Sequence, residues 1–365
     1  MLVLAVVATA FSLKLGISVA IIEIVIGIIA GNFLHFSSAG HDWLIFLAGL
    51  GSVVLTFLAG AEIDPEAMRQ TWKASLSIGI MSFLAPFIGA LIFSYYFLSW
   101  TWAASLLAGV ALSTTSVAVV YVVLVETGLS KTGTGKLILS ACFVTDLGTA
   151  IALSLLFVRP NAFILVLFAA LAVAIVAMPK ILGWLFSNVK GRSGELEMKI
   201  SLLMIVAFGA LAEISGSHAV LPAYIIGLVL ANVYAKNKDV LMKLRTIALA
   251  FLTPFFFINA GLNVSLAAVV SGIMIVGVLF AVKMGTKFIG VFSLSSRFIG
   301  KDAVYTTLLM STGLTFGTIS AQYGLTAGII TRDQFSILVM VVMLTAIVPT
   351  IIAQKWFKPN ETPSE

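Results

Sequence analysis

The sequence predicts an all-α polytopic membrane protein with about 13 transmembrane helices, and three observations lead there. Of its 365 residues, 61% are hydrophobic and only 10% are charged, with a mean hydropathy of +1.15. A soluble surface needs more charge than that to stay dispersed. Apolar runs near 20 residues recur along the whole length, which is the span of a bilayer core. A membrane β-barrel shows alternating segments of about 10 residues instead. The third observation is the distribution of basic residues, taken up below.

The apolar segments lie at about 1–13, 17–34, 43–61, 75–97, 102–125, 137–157, 162–187, 199–214, 218–234, 247–262, 264–292, 303–323 and 334–354. The first is short. Its Ala8-Thr9-Ala10 resembles a signal-peptide cleavage site, but no basic region precedes it, so it reads as a span. The second carries Glu23, and the third ends at Glu62. The fourth begins after Arg69 and Lys73. The fifth and sixth hold the polar residues discussed below. The seventh precedes the longest loop, around Lys190–Lys199, which links two halves. Glu213 and His218 flank a short turn between the eighth and ninth. Pro254 interrupts the tenth. The eleventh contains Lys283 and Lys287, the twelfth is rich in hydroxyls and glycine, and the thirteenth is a continuous apolar run. No soluble domain is expected, so residues 1–365 form a single membrane domain.

The charges test this count. Loops after odd-numbered segments, with the segment ends that adjoin them, hold 17 Lys and Arg, loops after even-numbered ones hold only Arg159 and Arg332, and the remaining two of the 21 are Lys283 and Lys287. That asymmetry follows the positive-inside rule and puts the N-terminus outside and the C-terminus in the cytoplasm. It also accounts for the pI near 9.4 without nucleic acid as a partner. The lone Cys142 excludes a disulfide within the chain and a cysteine-rich metal site.

The two halves carry a faint symmetry. Ser113-Thr114-Thr115 precedes Thr127-Gly128-Leu129 in segment five, as Ser311-Thr312-Gly313 precedes Tyr323-Gly324-Leu325 in segment twelve. Segments two to six then match nine to thirteen, and the odd shift makes the repeats inverted. Small and hydroxyl residues at corresponding depths mark helices that break in mid-membrane, as transporters use them.

Asp146 is the first candidate for chemistry. Apolar residues surround it for most of two turns each way. A carboxylate at that depth costs about 2.5–3.5 kcal/mol, so it needs a functional reason. It binds either a dehydrated cation or a proton, and that competition is sufficient to couple their movements. Asp146 is therefore also the metal-binding candidate, for Na+ or K+. Thr114, Thr115 and Ser116 follow Ser113 in an unbroken hydroxyl run. Such a run either satisfies backbone freed by a helix break and lines an ion site, or hydrogen-bonds across a helix bundle. Lys287 lies further from the start of its segment than Lys283 and is harder to snorkel to the surface. It pairs with a carboxylate or caps a broken helix's carbonyls. Lys283 is the alternative partner, or lines a water-filled cavity. Glu23 is a candidate for an aqueous funnel, and Glu62 for the interface. Enzyme motifs are absent: no Gly-x-Ser-x-Gly elbow, no His-Glu-x-x-His and no Walker loop. An intramembrane aspartyl protease needs two deep aspartates.

The pattern resembles the bacterial monovalent cation:proton antiporters of the Na+/H+ and K+/H+ type, over nearly the whole chain. Glu23, Gly27 and Gly31 keep the family's Gly-Glu-x-x-x-Gly-x-x-x-Gly spacing. Leu50-Gly51, Leu55, Phe57, Gly60 and Glu62 match a second family stretch, and Thr114-Thr115-Ser116 matches the unwound crossing helix. Asp146 falls on the family's ion-binding aspartate and Lys287 on its lysine. The resemblance implies a dimer domain and a core domain that moves like an elevator. It also implies two helices crossing at the bilayer centre, a homodimer in the cell (inner) membrane, and no cofactor. Thr145, Thr115, Ser116 and Thr114 complete the ion shell, and Lys287 with Thr312 supports it. The chain departs from the family at three places. Thr145-Asp146 stands where members that move net charge carry Asp-Asp, which implies electroneutral exchange. Pro222 replaces a glycine, and Thr312-Gly313-Leu314 replaces a charged Arg-Gly-Glu. Two other classes fit less well. A gated monovalent cation channel needs a ring of filter residues. A sodium-coupled organic solute transporter of related architecture needs two Na+ sites and an organic pocket.

Overall fold

The computed structural model describes residues 1–15, 18–38, 40–157, 161–189, 196–217 and 219–359. His218, Arg159, Lys190 and Arg192 lie outside them. The described residues form helices: α1 (Leu2–Leu15), α2 (Val19–Phe33), α3 (Asp42–Ala61), α4 (Pro65–Tyr96), α5 (Trp102–Ser113), α6 (Val117–Glu126), α7 (Gly133–Leu156), α8 (Phe163–Val189), α9 (Leu196–Ile214), α10 (Val220–Lys236), α11 (Lys238–Ile247), α12 (Thr253–Asn263), α13 (Leu266–Ser271), α14 (Ile273–Lys287), α15 (Ser293–Phe298), α16 (Ala303–Met310), α17 (Thr315–Thr326) and α18 (Arg332–Trp356). Each apolar segment falls on one of these helices or on a run of them. Eight such runs are long and apolar enough to cross a membrane by length and composition.

Among the boundaries that differ from the hydropathy reading, two have a clear physical reason. Helix α4 starts at Pro65, ten residues before the apolar run, because its first turns carry Glu66, Arg69 and Lys73. Proline suits a first helical turn, where its missing N–H has no partner anyway. The eleventh segment is not one helix. It breaks at Gly272, and a continuous run then extends over Ile273–Phe298. Lys283 and Lys287 straddle the middle of that run. Both are fully buried.

The chain divides into two compact units. The first comprises Met1–Ala5, Ser38–Pro65 and Ala150–Asn259. Its centre is the contact of α3 with α10, where glycines let backbones touch. A Cβ added at Gly60 would lie 2.7 Å from Leu228 N, and one at Gly227 would lie 2.9 Å from Ala61 N. Close approach through small residues is how helices associate where lipid removes the hydrophobic drive. Phe57, Phe186 and Tyr234 fill the adjoining core, and Ser201 Oγ lies 2.7 Å from Tyr234 Oη. A π-helical turn at Ala248–Leu252 precedes Pro254 and absorbs the register offset that a proline imposes. At the end of α3, burial raises the Glu62 carboxyl and the Arg245 guanidinium, 3.5 Å away, pulls it back down.

The glycine contact carries a prediction. Gly227→Val must push against backbone that cannot yield, so unfolding in detergent should come at lower temperature, at a cost of about 3 kcal/mol. Gly49→Val on α3 meets nothing within 4 Å and should leave the unfolding temperature unchanged. Equal shifts from both variants would show that the contact contributes no stability.

The second unit comprises Val6–Ser37, Glu66–Thr149 and Ala260–Glu365. Here α4 is the shared neighbour. Gly79 meets Val144 and Ala141 O of α7, and Gly89 meets Thr286 of α14. Gly290, in a π-helical turn that follows Lys287, meets Ala85 and Met81 O. These contacts bring the middle of α4 against the middles of α7 and α14. Gly31 of α2 lies against Leu262, and Asn32 Nδ2 donates to Val264 O at 2.9 Å. Arg332 Nε donates to Asn263 O at 3.0 Å, so the loop after α12 is held from two sides.

The helices break where the sequence places hydroxyls in mid-segment. Residues Thr114–Ser116 separate α5 from α6, with Thr114 extended at φ −64°, ψ 155°. Residues Ser311–Leu314 separate α16 from α17. Gly324 packs on Leu107, Gly317 on Ala111 O and Gly313 on Thr114. Rising numbers on α5 thus meet falling numbers on α17, so these half-helices run antiparallel on one side of the breaks. On the other side, Val120, Val123 and Leu124 of α6 share a core with Tyr305, Leu308 and Leu309 of α16. The two chains therefore cross at their breaks.

Candidate ion-binding site

Two interrupted helices leave four helix ends in the middle of the unit. Helices α5 and α16 end there with free carbonyls and a partial negative charge, while α6 and α17 begin there with a partial positive charge. The break residues supply the missing hydrogen bonds. Ser113 Oγ donates to Val110 O at 2.8 Å and Thr114 Oγ1 to Ala111 O at 3.1 Å. Thr312 Oγ1 donates to Leu309 O at 2.8 Å. Thr115 Oγ1 crosses to the other interrupted segment and donates to Met310 O at 2.9 Å. Ser116 N donates to Thr312 Oγ1 at 3.4 Å, and Ser116 Oγ lies 3.5 Å from Thr315 Oγ1. Carbonyls take the protons of Thr114, Thr115 and Thr312, so their oxygens keep lone pairs for a cation.

Lys287 uses one of those lone pairs. Its ammonium donates to Thr115 Oγ1 at 3.0 Å and to Ser82 Oγ of α4 at 2.6 Å. Asp146, on α7, is 1% exposed, and its Oδ1 is buried with no hydrogen-bond partner. Asp146 and Lys287 interact electrostatically. Beside Asp146, the Thr145 hydroxyl donates to Ala141 O at 3.0 Å and to Gly79 O at 3.3 Å. It faces the α4 contact and ties the two helices. Among the described residues no three His, Cys, Asp or Glu side chains come together. The donor set near Asp146 is therefore one carboxylate with neutral oxygens, which suits a hard cation rather than a thiophilic one.

The second unit thus brings Asp146, Thr114, Thr115, Ser116, Thr145, Thr312 and Lys287 into one region. Glu23, expected at an aqueous funnel, is also in this unit but is 1% exposed, with Oε2 lacking a partner. Glu213 is exposed. Two contributors escaped the sequence reading. Ser82 is one of several serines on an apolar helix, and only the Gly79 contact turns it inward. Thr345, on α18, accepts from Lys283 Nζ at 3.1 Å. It is a lone hydroxyl in an apolar run, and its link to a lysine 62 residues earlier leaves no local sequence signal.

Comparisons with known proteins assign the chain to a family. The family model described as "Sodium/hydrogen exchanger, transmembrane" matches residues 2–358. A probable Na+/H+ antiporter of Methanocaldococcus jannaschii is 28% identical over 357 residues, covering 93% of this chain and 89% of its own. The Na+/H+-K+ antiporter GerN of Bacillus cereus is 25% identical, covering 92% and 89%. An Na+/H+ antiporter of Enterococcus hirae is 26% identical, covering 95% and 94%. Among solved structures, the sodium–proton antiporter MjNhaP1 of Methanocaldococcus jannaschii superposes with a TM-score of 0.70 at 16% identity, over 97% of this chain and 94% of that one. That likeness extends to the fold. With the match to the family model running almost from end to end, the chain belongs to the transmembrane sodium/hydrogen exchanger family, a family of membrane transporters rather than enzymes.

Proposed function

We propose that the protein exchanges H+ for a monovalent cation, Na+ or K+, by competition at Asp146. The observation that carries this is the buried, unpartnered Asp146 Oδ1, which interacts electrostatically with a Lys287 already engaged by Ser82 and Thr115. Asp146 needs a proton or a cation to be stable in place, and it accepts only one at a time. The oxygens of Thr115, Ser116 and Thr114, with Thr145 and Thr312 behind them, complete the shell. Lys287 holds the first break. One carboxylate at the ion site, with Thr145 rather than a second acid beside it, supports electroneutral exchange, one proton for one cation. The unit that carries Asp146 and both breaks moves as the elevator, in a homodimer of the cell membrane. Thirteen crossings place the N-terminus outside and the C-terminus in the cytoplasm.

Competition at one group has a kinetic signature. In proteoliposomes, the cation KM should rise about tenfold for each pH unit of acidification below the titration of the site, with Vmax unchanged. A pH change that lowers Vmax at constant KM would rule out a shared site. Uphill cation accumulation driven by a pH gradient separates exchange from a channel. A rate that follows an imposed membrane potential would exclude electroneutrality.

A further inference from the structure

Lys283 is not used by the exchange reaction at Asp146, yet it is buried as completely as Lys287. Two ammonium groups one helical turn apart repel each other, so the second needs its own stabilisation. Lys287 turns to the first break and Lys283 to the second. Lys283 Nζ donates to Thr345 Oγ1 at 3.1 Å, and the Thr345 hydroxyl in turn reaches Gly313 O at 3.4 Å and Val342 O at 2.8 Å. A side chain at Gly313 would run into Lys283 Nζ, with Thr114 Oγ1 at 2.7 Å and Thr114 O at 3.1 Å from the same point. The ammonium therefore sits where Thr345, Gly313 and Thr114 converge, among neutral oxygens and close to the break that ends α16.

This place has a counterpart at Asp146. Thr345-Ala346-Ile347 on α18 repeats Thr149-Ala150-Ile151 on α7 at an offset of 345 − 149 = 196, and Gly324-Leu325 repeats Gly128-Leu129 at the same offset, 324 − 128 = 196. Thr149 follows Asp146 by three residues, so Thr345 corresponds to a position one turn from the carboxylate. The residue corresponding to Asp146 itself is Val342. The second half thus presents hydroxyl and carbonyl oxygens without an acid, and a covalently attached monovalent cation lies among them.

We propose that the Lys283 ammonium is the tethered occupant of a second monovalent-cation site, formed by Thr345, Gly313 and Thr114, and that it keeps this site closed to Na+ and K+. An ammonium and an alkali cation carry the same charge and accept the same oxygen donors. Tethering removes the entropy cost of binding, so the site stays filled in every state of the transport cycle. The chain is then limited to the cation at Asp146.

The test is cation binding to purified protein in choline chloride, read with radioactive Na+. The wild type should bind about one Na+ per chain, Lys283→Ala about two, Asp146→Asn none, and the double variant about one. A Lys283→Ala protein that binds only one overturns the proposal. The count of one in the wild type rests on the Asp146 reading, and Asp146→Asn tests that separately. Were Lys283→Ala unstable in choline, NaCl or KCl should restore its unfolding temperature, since a ligand that binds only the folded state stabilises it. Lys283→Met fills the same volume without charge and should show neither a second Na+ nor rescue. Instability of Lys283→Ala that no alkali cation relieves, or rescue shared equally by Lys283→Met, also overturns the proposal.

Discussion

Asp146→Asn is expected to abolish cation-driven proton movement while leaving the protein folded. Asparagine keeps the size and the acceptor oxygen of aspartate but carries no exchangeable charge. At an effective dielectric of about 20, a carboxylate attracts a monovalent cation roughly 4 Å away by about 4 kcal/mol. Losing that attraction weakens cation binding roughly a thousandfold. The proton that has to leave is lost as well. Stability should move the other way. Asp146 is 1% exposed with an unpartnered Oδ1, so removing its charge relieves a desolvation penalty, while Lys287 keeps its hydrogen bonds to Ser82 and Thr115. The unfolding temperature of Asp146→Asn should therefore equal or exceed that of the wild type. Lost activity with retained stability distinguishes a transport residue from a structural one. Dequenching of a pH dye in proteoliposomes, with Na+, K+ and Li+ added in turn, makes the comparison. Equal responses from wild type and Asp146→Asn would remove Asp146 from the mechanism. Asp146→Glu keeps the charge but moves it by one methylene, and should retain exchange with an altered cation KM.

Much of this site could be read from the chain because its signals are local and costly. Asp146 stands out among apolar neighbours, and four hydroxyls in a row at 113–116 have no place in an ordinary span. The second break was legible only through its partial copy at Ser311–Gly313. The partners of the two lysines were not legible. Ser82 and Thr345 are single hydroxyls on apolar helices, and nothing within a turn of either points to an ammonium. What brings Ser82 to Lys287 is the packing of Gly79, Gly89 and Gly290 around α4, a relation among three distant stretches. The break at Gly272 was missed for a different reason. Hydropathy carries straight through Gly272, so the run appeared to begin at 264. The chain turns there, and the span starts afresh at Ile273. Helix α4 was truncated for the opposite reason, since charged first turns hide a helix from a hydropathy scale without ending it.

Lys287→Met should show how far the ammonium and Asp146 depend on each other. Lys287 donates to Ser82 Oγ at 2.6 Å and to Thr115 Oγ1 at 3.0 Å, and a hydrogen bond to a charged group contributes about 1.5–3 kcal/mol. Methionine recovers the packing but neither bond, and it leaves Asp146 as an uncompensated buried acid. Asp146 and Lys287 interact electrostatically, and at an effective dielectric of about 20 such an attraction is worth about 2 kcal/mol. The cost requires Asp146 to be charged. Lys287→Met should therefore lose further stability as pH rises through the titration of Asp146, and at acid pH, where a proton neutralises the carboxyl, lose only what the two hydrogen bonds contribute. The double variant Lys287→Met/Asp146→Asn has no stranded charge at any pH. It should recover most of the alkaline loss, so the double-mutant cycle should give a coupling of about 2 kcal/mol or more at high pH and near zero at low pH. Additive effects at both pH values would mean that Lys287 acts only as a latch on Thr115 and Ser82. Ser82→Ala separates the two roles, because it removes one bond and leaves the charge. Its transport should stay within about tenfold of wild type, against a loss of about a hundredfold or more for Lys287→Met. The two roles meet in one side chain. The ammonium that interacts with Asp146 also fastens the first break to α4, so under the proposed exchange a change in occupancy at Asp146 would be felt where the helices cross.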